Sequence, residues 1–148
     1  MAITTLATVK AAIETQVATI TSFTKLKHVT DPSKESYKSA NNKYGVRFLS
    51  GVEEEGNYRS VRYAVPVEIT LTKVFNNSHI TDNADTIEVT LQQNILDIYK
   101  QLQNTKAGSP ANVVQVTDLT VAESDILEDD KIIIVKGTCL VRFNFSLD

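Results

Sequence analysis

Residues 61–71, VRYAVPVEITL, carry an apolar side chain at every odd position: Val61, Tyr63, Val65, Val67, Ile69 and Leu71. Period-two alternation puts those six side chains on one face of a strand. The surrounding residues extend that strand over 58–74. A second run closes the chain, where Ile133, Val135, Cys139, Val141, Phe143, Phe145 and Leu147 share one face of a strand over 131–147, with Gly137 the only gap. Two straight strands of seventeen residues would each span ~55 Å, at ~3.3 Å per residue. Few small domains cover rows that long, so either the strands bend or their ends project.

The rest of the chain supplies the cover. Leu6, Val9, Ile13, Val17 and Ile20 recur at spacings of three and four, which predicts a helix over 5–20 with Thr4 or Thr5 as its N-cap. Ile87, Leu91, Ile95, Ile98 and Leu102 predict a second helix over 84–103. Asp82, Asp85 and Glu88 near its start and Lys100 near its end suit the helix dipole. Short strands are expected at 23–29 and 44–49, and a further one at 112–121. Gly51 and Gly56 mark the stretch 50–57 as a turn. Residues 30–43 form a polar loop and 122–130 an acidic one.

The predicted order is α-β-β-β-α-β-β over one domain, residues 1–148. Hairpin-like spacing makes the fold α+β, a largely antiparallel sheet with two helices packed on one face. The second helix, about twenty residues, spans only ~30 Å. Part of the long apolar row therefore looks to a neighbouring subunit for cover. Pro66 cannot donate to a ladder, which points to an edge strand, a bulge or a bend. Val61, Tyr63, Val65 and Pro66 are thus candidate interface residues.

Charge adds a second argument for self-association. Residues 1–74 carry a net charge of +3 and residues 75–148 a net of −6, so copies can meet through opposite patches. Lys34, Lys38 and Lys43 stand in the 30–43 loop, while Asp125, Asp129 and Asp130 stand in the 122–130 loop. In a head-to-tail ring these two loops belong to different surfaces and can meet around the circle.

Chemistry-bearing motifs are sparse. His28 and His79 lack the spacing of metal ligands, to each other or to Cys139. Cys139 falls on an apolar strand face, where a thiol behaves as a small hydrophobe. One cysteine excludes an internal disulfide and fits a reducing compartment. The five glycines form neither a dinucleotide nor a P-loop pattern. The acidic runs Glu53-Glu54-Glu55 and Glu128-Asp129-Asp130 read as solvated loop charges. No catalytic, cofactor or metal site is expected. The N-terminus has no basic leader, and no run approaches the ~20 apolar residues of a membrane span. Lys25, Lys27, Lys34, Lys38, Lys43 and Arg47, with Tyr37 and Tyr44 among them, leave open a nucleic-acid-binding loop.

The element order and the block KYGVRFLSGVEEEGNYRSVRYAVPVEITLTK, residues 43–73, resemble the tail terminator (tail completion) proteins of tailed bacteriophages. The resemblance implies a small α+β subunit that forms a ring, typically a hexamer. Such a ring caps the tail tube, stops its polymerisation and joins it to the head. Implied partners are copies of the chain, the tail-tube protein and a head-completion or connector protein, with DNA only as passing cargo and no membrane. Implied location is the tail–neck junction of the virion, after assembly in the bacterial host cytoplasm. A tail-tube or head-completion subunit is the alternative within the same class.

Overall fold

The computed structural model describes residues 5–26, 41–56, 60–74, 81–103, 113–127 and 132–146. Two helices, α1 (Leu6–Thr21) and α2 (Thr81–Gln103), pack on one mostly antiparallel sheet of seven strands. The strands are β1 (Thr24–Lys25), β2 (Lys43–Phe48), β3 (Val52–Gly56), β4 (Ser60–Val74), β5 (Val113–Val121), β6 (Asp125–Leu127) and β7 (Ile132–Ser146). The fold is α+β. Two short strands depart from the expected order: β3 occupies the stretch expected as a turn, and β6 occupies part of the acidic loop.

The two long strands form the spine. β4 and β7, fifteen residues each, pair antiparallel along their whole length, from Ser60↔Ser146 to Val74↔Ile132. Since β7 fills one side of β4, both β2 and β3 lie end to end on the other side. In the same way β5 and β6 lie end to end along the far side of β7. β1 closes the β2 side in the one parallel pairing among the described residues, and β5 is the terminal strand opposite.

The expected edge position of the 58–74 strand is overturned: β4 is paired on both sides. Pro66 explains how a central strand tolerates proline. The Pro66 carbonyl accepts a hydrogen bond from the Leu49 N–H at 2.9 Å. A strand residue turns its carbonyl and its N–H to the same side, so the missing donor also faces Leu49. That rung is half made, and β2 ends at Phe48. The chain then passes Gly51 and re-enters beside β4 as β3. Proline sits at the break between two flanking strands.

The apolar row is covered by its own chain, which corrects the expectation of cover from a neighbour. Val65, Val67, Ile69 and Leu71 join Ile133, Val135, Cys139, Val141 and Phe143 in one core with Val9, Ile13 and Val17 of α1 and Leu91, Ile95, Ile98 and Leu102 of α2. Val61, at the end of the row, is also buried. Large rings close that end: Tyr63 meets Phe143 edge to face at 5.7 Å between centroids, and Tyr63 lies where a Cβ on Gly51 would be. Straight-strand length also overstates the span to be covered, because long strands twist.

Local signals account for the helices. The Thr5 hydroxyl caps α1 by accepting from the Thr8 N–H at 3.2 Å. Ser22, in the left-handed region at φ 60°, ends it by donating its N–H to the Ala18 carbonyl. Leu6, assigned by spacing to the core face, is 45% exposed at the first turn. Gly137, the gap in the β7 row, lies under α2: a Cβ there would come within 2.5 Å of Ile95 Cγ2. The gap admits the helix.

Candidate assembly edges of the sheet

On the β4 side of the spine the charge is divided: β3 holds Glu53, Glu54 and Glu55, whereas β1 and β2 are basic. Residues 24–26 and 41–48, which build β1 and β2, contain Lys25, Lys43 and Arg47 and no carboxylate. Residues 113–127, which build β5 and β6, contain Asp118, Glu123 and Asp125 and no Lys or Arg. Arg47, Asp118, Glu123 and Asp125 are exposed, and Lys43 is half-buried.

On the basic flank, Lys43 Nζ donates to Thr24 Oγ1 at 2.7 Å, tying β2 to β1. Thr72 Oγ1 donates to the Lys43 carbonyl at 3.4 Å, and the Val74 N–H donates to Asn41 Oδ1 at 3.1 Å, so the start of β2 is held against β4. Lys25 Nζ lies 3.0 Å from Glu14 Oε2 of α1. The hydrogen bond to Glu14, and then its charge, raises the ammonium pKa. Tyr44, beside Lys25 in the core wall, has its hydroxyl pKa raised chiefly by burial.

On the acidic flank, β5 is irregular. Its register against β7 shifts between Val113 and Gln115 and again between Thr117 and Thr120. Asp118 stands in the second irregularity at φ 60°, a left-handed backbone that Asp tolerates because its short side chain bonds locally. After β5, the Ala122 N–H donates to the Lys136 carbonyl at 2.9 Å, and Gln92 Nε2 of α2 reaches Ser124 Oγ at 3.5 Å. Those bonds seat β6, where Asp125 is exposed and Ile126 remains 41% exposed.

The polar face of the sheet holds a network that sequence reasoning missed. Arg142 of β7 donates from Nε to Glu54 Oε1 at 2.8 Å and from one terminal nitrogen to Gln115 Oε1 at 3.2 Å and Thr117 Oγ1 at 3.0 Å. One guanidinium thus links β3, β7 and β5. Ala64, small and buried, stands opposite Arg142 in β4 and leaves room for the side chain to cross. Glu54, read as a solvated turn charge, is instead the ion-pair partner. The available signal was the alternation itself, which puts Arg142 and Ala64 on the same polar face.

The candidate residues divide as follows. Lys43 and Asp125 stand on opposite flanks. Tyr63 and Pro66 are half-buried, whereas Val61 and Val65 have 8% and 1% exposure and present almost no surface to a partner. Lys34, Lys38, Asp129 and Asp130 lie outside the described residues, as do His28 and His79. Cys139 is buried at 2% exposure, and burial pushes its thiol up to about 12. Among the described residues no group of three or more His, Cys, Asp or Glu is placed to hold a metal ion. No described helix is long and apolar enough to cross a membrane. A scan of protein-family models finds none that matches the chain, and a search of curated proteins finds no match.

Proposed function

We propose that this chain is a structural subunit that closes into a ring with copies of itself and serves as the tail terminator of a tailed bacteriophage. One observation carries the reading: the basic β1/β2 segment stands level, across a single sheet, with acidic β6 and the end of β5. Like segments repel and unlike segments attract, so copies meet head to tail, and a head-to-tail contact that closes gives a ring. The resemblance of the 43–73 block and of the element order to tail terminators supports placing that ring at the end of a tail tube. In this role it meets the tail-tube protein on one side and a head-completion or connector protein on the other, at the tail–neck junction of the virion. No bond is made or broken by the chain itself.

Negative-stain microscopy of the purified chain, alone and mixed with polymerising tail-tube subunits, tests the proposal. The expected result is discrete rings, six-fold in view, that bind tube ends and halt elongation. Rings that stack into tubes unaided would favour the tail-tube alternative. A chain that stays monomeric across concentration and leaves tube growth unchanged overturns the reading.

A further inference from the structure

Hydrogen-bond register links the two flanks rung by rung. Lys43 pairs with Thr72, Thr72 with Ile134, and Ile134 with Asp125. Lys43 and Asp125 therefore share one rung: Asp125 ends it on the β6 side, and Thr24 of β1, outside Lys43, ends it on the other. A second rung runs from Arg47 through Glu68 and Thr138 to Thr120. Asp118 stands in the irregularity just before Thr120.

Strand direction fits the same arrangement. β1 and β2 run with β7, whereas β5 and β6 run against it. A second copy in the same orientation, brought alongside, thus sets β5 and β6 antiparallel to the first copy's β1 and β2. The left-handed Asp118 and the breaks in β5 interrupt a row of backbone donors and acceptors, as edges protected from indiscriminate pairing do. Recognition then falls to side chains. Ile126, half-exposed beside Asp125, supplies apolar area at the contact.

We infer that the β5/β6 flank of one copy docks on the β1/β2 edge of the next, with Asp125 set against Thr24 and the Lys43 ammonium that reaches it, and Asp118 facing Arg47. The occupant of each edge is a second copy of this chain, a choice favoured by the complementary charges that share these rungs. The inference rests on the ring reading above and adds to it the surface and the register.

Cysteine pairing tests the register directly, because Cys139 is buried and leaves no competing surface thiol. The double variant Thr24→Cys/Asp125→Cys, at the two ends of the rung, mildly oxidised, is expected to give a denaturing-gel ladder of linked chains, while either single variant gives none. Zero-length carbodiimide coupling of the unmodified chain, read by mass spectrometry, should yield an intermolecular Lys43–Asp125 link and covers the case in which the cysteine variants fail to fold. A wild-type chain that assembles yet gives neither ladder nor link overturns the docking mode and leaves the ring reading standing. A wild-type chain that is monomeric at every concentration removes both.

Discussion

Cys139 shows how much a single burial decides. Opposite Val67 in the core, its thiol is held neutral by desolvation, with its pKa moved from an ordinary 9.0 to about 12. In the unfolded chain the thiol ionises near its ordinary value, so the unfolded state binds fewer protons above that pH. Stability contributed by this group is therefore fully present below pH 9.0 and falls as pH rises toward about 12. Denaturant titrations from neutral pH upward should show a loss in wild type that Cys139→Val lacks, and alkylation at neutral pH should require unfolding. Gly137 is the complementary case, a position that must stay small. Gly137→Ala drives a methyl into Ile95 and is expected to cost about 1–3 kcal/mol through overpacking, measured by urea denaturation. Equal stability of variant and wild type would mean that α2 does not press on β7 there.

Elements are joined by a few polar devices on the face away from the helices. Pro66 divides the flank of β4 into β2 and β3, since it accepts from Leu49 but cannot donate back. Pro66→Ala should change stability by less than about 1 kcal/mol, because the position loses no existing hydrogen bond. Glu68→Pro, one rung further along, removes a donor inside the β2 ladder and should cost about 2 kcal/mol or more. Similar costs for the two variants would show that the break between β2 and β3 has another origin. Arg142 is the second device. With 22% of its side chain exposed and Glu54 at 35%, the ion pair is screened, and Arg142→Ala is expected to cost about 1–2 kcal/mol in total. Hydrogen exchange should quicken in β3 and β5 and stay slow in the β4–β7 pair. Exchange that quickens uniformly would assign the loss to the core instead.

For the whole molecule, a basic β1/β2 segment at one edge and acidic β5/β6 at the other make the subunit directional. Each exposed pair between copies is worth roughly 0–1 kcal/mol, so charge sets register and rate more than final stability. The Debye length falls from ~10 Å at about 0.1 M salt to ~3 Å at about 1 M. Assembly followed by light scattering should therefore slow as salt rises, while the final ring mass changes little once apolar contact is made. An assembly rate independent of salt would remove charge from the account. Asp118→Asn keeps a residue that tolerates the left-handed backbone, and it should slow assembly at low salt without altering the melting temperature. A lowered melting temperature would assign Asp118 a role within the subunit.

The two helices, the α+β class and the long strands follow from periodicity alone, because burial of one face imposes a period of 3.6 or 2 on any chain that folds this way. Val65, Ile69, Ile95 and Phe143 were legible as core for that reason. Neighbour relations are another matter, since alternation assigns a residue to a face and says nothing of which strand lies beside it. Hence Pro66 read as the mark of an edge strand, a bulge or a bend, and only the pairing showed it on a central strand, opposite the break between β2 and β3. Glu53-Glu54-Glu55 read as turn because charge and flanking glycine outweigh a five-residue bulged strand whose pairing β4 alone supplies. Arg142 with Glu54, and Lys43 level with Asp125, join residues more than eighty apart in the chain. Local composition carries no record of such pairs. They exist only once two fifteen-residue strands have aligned and fixed the register of everything beside them.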